Sequence, residues 1–274
     1  MLTRPIPRTG ETLPAVGLGT WQAFDVAPRD AARGSLREVV RTLAAHGGRA
    51  IDSSPMYGRA EGVVGDLVSE LATPEAYFYA TKVWVSGRDE GIRQMEESFR
   101  RMRVARMDLM QIHNLLDWRT HTATLAAWKA AGRVRYVGVT HYHAGAHAEL
   151  ERAVRTGAYD FVQVNYSIGE PEAAAHVLPA AAETGTAVLV NRPFGQGSIL
   201  RKLRGRPLPP WAAEIDCTSW GQYLLKWILA HPAVTCVIPG TGDPAHMADD
   251  LAAGSGRLPD EPMRKRMADY VSDL

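Results

Sequence analysis

Cysteine is scarce in this chain of 274 residues. The two present, Cys217 and Cys236, fall in no metal-ligand spacing and suggest no disulfide framework, so a reduced, cytoplasmic setting is expected. An excess of one charge is missing too: 31 basic residues face 30 acidic ones, for a net charge of +1. That balance points to neither nucleic acid nor an anionic membrane as partner. Long apolar runs are also lacking. Stretches such as FVQV (161–164) and TAVLV (186–190) are strand-sized, far short of the roughly 20 residues a spanning helix needs. No leader-like stretch is recognised ahead of the first structured residues.

What the chain does contain is enough apolar residue, 46%, to build a large core, and a regular alternation of elements. Residues 2–16 read as a short hairpin turning at Thr9-Gly10, its prolines marking it as a lid or edge. The glycine-rich GLGTWQAF (17–24) reads as a loop. Helical patterns are expected over 35–46, 60–71, 89–102, 122–131, 144–156, 172–184, 217–230 and 244–253. Apolar runs at 49–53, 77–83, 107–112, 134–139, 161–166, 187–194 and 235–240 read as buried parallel strands, because a half-exposed sheet would alternate with polar residues. Seven strand–helix units without a linker predict a single α/β domain over 1–274, a (β/α)8 TIM barrel capped by the N-terminal β-hairpin. The eighth strand is weakly marked and is placed in 253–258.

Three of these strands end in an ionisable residue. Asp52 closes one, Lys82 the next and His113 the third, at separations of 82 − 52 = 30 and 113 − 82 = 31 residues, one strand–helix unit each. In a parallel barrel such ends converge on the catalytic face. Tyr57 follows Asp52 after the turn-prone Ser-Ser-Pro. A tyrosine titrates near about 10, so Lys82 is expected to lower that value and Asp52 to keep a buried Lys82 charged. His113 can orient a substrate oxygen. The set suits proton delivery to a developing alkoxide, half of a carbonyl reduction; a cofactor must bring the hydride.

Other residues just above strand ends are candidates as well. Trp21, Trp84 and Trp118 are expected to line a substrate pocket. His141, His143 and His147 lack the third ligand and geometry of a metal site, and no metal is assigned. Gly195 and Gly197 suit a turn or a pyrophosphate-facing loop.

In order, GLGTW, IDSSPMYGRAEGVVGDLV, ATKVW, MDLMQIH, RYVGVT, FVQVNYS and VTCVIPGT resemble the aldo-keto reductase family from end to end. The resemblance implies a (β/α)8 barrel binding NADP(H), with NAD(H) as the alternative, and reducing a small-molecule carbonyl substrate. Asp52, Tyr57, Lys82 and His113 fall on the family's catalytic tetrad. A nucleotide-binding regulatory subunit, or a dehydrogenase of an alcohol, sugar or polyol, are the rival readings; a monomer or weak homo-oligomer is expected. Cofactor contacts are implied at Gly19, Thr20, Trp21 and Asp52, and at Thr140-His141, where the family has Ser-Asn. Gln163 matches the glutamine that holds the nicotinamide carboxamide, with His141 a further carboxamide contact. Asn191 stands where a tyrosine normally stacks, Arg192 where a serine is common, and Phe194, Gly195 and Gly197 follow. At the adenosine end, Gly240, Thr241, His246 and Asp250 replace a more cationic set. Asp249 and Asp250 are expected to repel a 2′-phosphate unless they point away. Two short loops suggest an open pocket.

Overall fold

The computed structural model describes residues 1–71 and 74–274. An antiparallel hairpin, β1 (Thr3–Pro5) and β2 (Thr12–Pro14), precedes eight parallel strands. These are β3 (Leu18–Gly19), β4 (Ala50–Asp52), β5 (Phe78–Val83), β6 (Met107–Ile112), β7 (Val134–Thr140), β8 (Phe161–Asn165), β9 (Ala187–Asn191) and β10 (Val234–Val237). Parallel bridges Val16–Val237 and Gly19–Gly240 join the first strand to the last and close the barrel. Helices α1 (Ala32–Ala45), α2 (Ala60–Leu71), α3 (Arg88–Met102), α4 (Trp118–Ala130), α5 (His147–Arg155), α6 (Val177–Thr184), α7 (Ser198–Leu203), α8 (Trp220–Leu229), α9 (Pro244–Ala252) and α10 (Glu261–Ser272) fill the connections and the C-terminus. No helix among the described residues is long and apolar enough to cross a membrane.

Side chains along a strand alternate between its two faces, and five of the inner rows grade from apolar to polar. Ala50 precedes Asp52, Phe78 and Ala80 precede Lys82, Leu109 precedes Gln111, Phe161 precedes Gln163, and Leu189 precedes Asn191. The lower members pack with Tyr136, Cys236 and Ile238 as the barrel interior. Ile6 and Leu13 of the hairpin join that cluster and plug its bottom. The alternate residues, among them Ile51, Val83, Met110, Val162 and Val188, face the helices. Polar groups thus accumulate at the C-terminal end of the barrel.

The segment 17–24 is not wholly a loop, because Leu18–Gly19 is the first barrel strand; and 253–258, expected to hold the eighth strand, leaves α9 in turns. Glycine marks β3 for a packing reason. A Cβ on Gly17 would lie 2.9 Å from both Cβ and O of Ala50, and one on Gly19 2.9 Å from the carbonyl of Ile238. The chain also continues past α9 into α10, started by Asp260, whose side chain accepts from Met263 N at 3.0 Å, and docked by Met267 and Val271. The helix expected from 122 begins at Trp118.

Candidate active site

Strand register assembles the polar end. Asp52 on β4 pairs with Gly19 on β3, Lys82 on β5 with Gln111 on β6, and Thr140 on β7 with Gln163 on β8. Lys82 is fully buried, and its ammonium donates to Asp52 Oδ2 at 2.6 Å and to the carbonyl of Ser53 at 2.7 Å. The other carboxylate oxygen of Asp52 accepts from Gln111 Nε2 at 3.0 Å and Gln163 Nε2 at 2.8 Å. Such a buried pair is sustained only when its remaining hydrogen-bonding capacity is filled, as here. The network continues outward: Thr140 Oγ1 donates to Gln163 Oε1 at 3.4 Å, and Asn191 Nδ2 donates to the same oxygen at 3.3 Å and to the carbonyl of His141 at 3.2 Å.

Tyr57 and His113 stand over this base. The Lys82 ammonium is 5.0 Å from the Tyr57 ring centroid, and the Tyr57 and His113 rings meet edge-on at 5.9 Å. Burial raises the Tyr57 phenol above its ordinary pKa; Lys82 pulls it down and Asp52 pushes it up. The expected net lowering by Lys82 is therefore not what the surroundings produce, since desolvation is the larger effect. Burial opposes the Lys82 charge, but Asp52 and Tyr57 more than offset it, leaving its pKa above that of a free lysine. Burial, then Lys82, then His141 drive the His113 pKa down to about 2, so the imidazole is neutral at ordinary pH. Ser54 Oγ lies 3.0 Å from His113 Nδ1 and accepts from Met56 N at 3.4 Å. The hydroxyl proton is then free for Nδ1, which favours the tautomer carrying its hydrogen on Nε2.

Above these groups opens a cavity of about 630 Å³. Asp52, Tyr57 and His113 line it, together with Gly19, Thr20, Trp21 and Trp84. Thr140, Gln163, Asn191, Arg192, Phe194, Gly197 and Gly240 belong to the same wall. Lys82 lies beneath the wall rather than in it. Sequence reasoning missed Gln111, Ser53 and Ser54 in the polar base and Met56, Asn114 and Tyr142 in the wall. Gln111 carried a signal, being two residues before His113 in a strand.

Other assignments lie elsewhere; the wall, among the described residues, includes none of the following side chains. Trp118, expected to line the substrate pocket, donates its indole N–H to Glu149 at 3.2 Å under the Arg119 guanidinium. The His141 imidazole accepts from Tyr142 N at 2.9 Å and stacks on that ring, so it joins the network through its backbone carbonyl rather than its side chain. Its neighbour His143 sits edge-on at 4.4 Å, whereas His147 turns to Asn165 at 2.9 Å. Gly195 (φ +55°) serves the turn before α7. Thr241 Oγ1 accepts from Asp243 N at 3.1 Å, and His246 is exposed on α9. Neither aspartate lines the cavity. Asp249 is turned to the start of α8, accepting from Ser219 Oγ at 2.5 Å and Gln222 Nε2 at 2.6 Å, while burial and then Asp249 raise the Asp250 carboxyl well above its usual range.

Comparison with known proteins places this geometry. The aldo/keto reductase family model matches residues 15–267. Methylglyoxal reductase YeaE of Escherichia coli (strain K12) is 30% identical over 249 residues, covering 88% of this chain and 85% of that protein. A Klebsiella pneumoniae aldo/keto reductase solved with NADP and acetate superposes with a TM-score of 0.82 at 23% identity, covering 99% of this chain and 96% of that one. A Klebsiella pneumoniae aldo-keto reductase solved with NADPH gives a TM-score of 0.80 at 24% identity, with the same coverage of both chains. Barrel, polar strand ends and a family match across nearly the whole length agree: this chain belongs to the aldo/keto reductase family of oxidoreductases.

Proposed function

We propose that the protein reduces the carbonyl of an aldehyde or ketone to an alcohol, using NADP(H), with NAD(H) as the alternative, and Tyr57 as the proton donor. The observation that carries this reading is a protonated phenol beside a neutral imidazole, both facing one cavity and both backed by the buried Lys82–Asp52 pair. The Escherichia coli relative is a methylglyoxal reductase and the Klebsiella proteins hold NADP or NADPH, which supports the reaction class and the cofactor.

The wall also fits a nicotinamide. Asn191 Oδ1 is buried without a hydrogen-bond partner, beside Gln163 and Thr140, so an acceptor awaits the donor of a carboxamide. Thr140, Gln163 and Asn191 are the residues to hold that group, and the bound cofactor supplies the hydride.

The chain's own groups handle the proton. Tyr57 stays protonated at neutral pH because burial raises its pKa, so it can donate to a substrate oxygen as negative charge develops there. Lys82 limits the cost of the phenolate left behind. Neutral His113 presents Nε2–H as a second donor to the same oxygen. Tyr57→Phe is expected to reduce turnover of 4-nitrobenzaldehyde by about 10²–10⁴-fold while leaving NADPH affinity, read by nicotinamide fluorescence, nearly unchanged. Retained turnover would remove Tyr57 from the reaction.

A further inference from the structure

Arg192 is the one lysine or arginine on the cavity wall among the described residues. Whereas Arg133, Arg135 and Arg264 each pair with a carboxylate, Arg192 pairs with none among the described residues. Its guanidinium is nevertheless held in place: Nη1 donates to the carbonyl of Tyr142 at 2.9 Å, and the group lies 5.6 Å from the centre of the Tyr142 ring. That tie joins the end of β9 to the loop after β7, on opposite sides of one cavity wall segment.

Two features go beyond what a structural tie requires. Arg192 Nε is buried with no hydrogen-bond partner, a condition native proteins rarely leave uncompensated. The residue also has φ +52°, a left-handed backbone that a non-glycine adopts only when its surroundings impose it. With Nη1 occupied by Tyr142, the unpaired edge of the guanidinium is the one carrying Nε and Nη2. That edge matches the spacing of two oxygens on a phosphate or carboxylate. The nearest acidic group on the wall, Asp52, is already neutralised by Lys82 and offers no competing partner.

We propose that Arg192 is the oxyanion-binding residue of this cavity, docking a phosphate or carboxylate on its Nε–Nη2 edge while Nη1 keeps its hold on Tyr142. An oxyanion on that edge gives the orphaned Nε its acceptor. The inference rests on the reading of the cavity as a site for a nucleotide and a carbonyl compound. Two sources can supply the oxyanion: the diphosphate of the nucleotide, or a carboxylate on the substrate.

The test compares wild type with Arg192→Gln, which keeps an amide donor for Tyr142 but loses the charge, and Arg192→Lys, which keeps the charge but loses the fork. Circular dichroism checks folding, and the lysine variant serves if the glutamine variant does not fold. Dissociation constants for NADPH, NADH and inorganic pyrophosphate are measured by fluorescence, and KM for 4-carboxybenzaldehyde against 4-nitrobenzaldehyde by steady-state rates. A diphosphate source predicts that Arg192→Gln weakens both nucleotides and pyrophosphate by about 10-fold or more, with the NADPH-to-NADH ratio unchanged. A carboxylate source predicts unchanged nucleotide affinity and a KM increase of that order for the carboxylated aldehyde alone. In either case Arg192→Lys falls between. If both variants match wild type within about threefold in every quantity, Arg192 is only a tie and the proposal is overturned. Failure of the cofactor reading looks different: wild type itself binds neither nucleotide, and the pyrophosphate titration then decides for or against Arg192 alone.

Discussion

At the residue scale the site turns on how two charges and a phenol share one buried spot. Lys82 keeps its proton against burial only because Asp52 is bonded to it at 2.6 Å. Removing that carboxylate acts on Tyr57 in two opposing ways. Directly, Asp52 raises the phenol's pKa, so its loss lowers it; indirectly, a Lys82 stripped of its partner neutralises and withdraws the larger, downward influence. An ammonium left unpaired in a protein interior costs several kcal/mol, so neutralisation is the expected course. For Asp52→Asn the basic limb of the kcat/KM profile for reduction, where the phenol loses its proton, should therefore move to higher pH. A limb that moves down would show that Lys82 keeps its charge alone; one that stays put, with circular dichroism unchanged, would uncouple Asp52 from the proton. His113 adds no limb between pH 5 and 9, because its pKa lies at about 2.

At the element scale, legibility followed apolar content. The strands at 50–52, 78–83 and 107–112 are almost wholly buried, so they read as uninterrupted runs, and the ionisable residues at their ends could be counted off at one unit each. Asp52, Lys82 and His113 were found that way and Tyr57 by its place after Asp52; Asp52, Tyr57 and His113 line one cavity, and Lys82 is bonded to Asp52 beneath its wall. Strand β3 was misread because two residues make no run and because glycine, there for close approach, imitates a turn. Trp118 was misplaced because Asn114, Leu115 and Asp117 adopt left-handed backbone conformations (φ +54°, +58° and +47°) ahead of it, a path that no residue pattern announces. Ser54 was overlooked for another reason: it serves the site through His113, and such support has no spacing of its own. Barrel closure is testable at Gly17. Gly17→Ala drives a Cβ to 2.9 Å from strand backbone and side chain of Ala50, neither of which can swing aside. Overpacking of this kind costs about 1–3 kcal/mol, which lowers Tm by roughly 2–4 °C per kcal/mol in a chain of this size. A thermal melt matching wild type would mean the barrel seam yields more readily than its contacts imply.

At the scale of the whole molecule, the inner rows divide the barrel into a lower half that holds and an upper half that reacts. Phe78, Leu109, Tyr136 and Phe161 fill the base with no charge among them, and the hairpin seals it with Ile6 and Leu13. The hairpin is itself tied down where Glu11 accepts from Tyr136 Oη at 2.6 Å and pairs with Arg135. Charge begins one layer higher, with Lys82 and Asp52, and the cavity lies above that. A charge pair placed lower would lose the glutamine and serine partners that only the strand ends provide; one placed higher would meet water and lose its hold on Tyr57. The division implies that stability and ligand binding can be changed separately. Ile6→Ala removes a fully buried side chain from the base and should cost about 2–5 kcal/mol of folding stability. The NADPH dissociation constant should stay within about twofold of wild type, since the plug and the cavity occupy opposite ends of the barrel. Denaturant unfolding and fluorescence titration on the same preparation read both quantities. A variant destabilised by that amount whose nucleotide affinity also falls tenfold would show that the packed layer between the two ends transmits strain, and that the base of this barrel helps to shape its site.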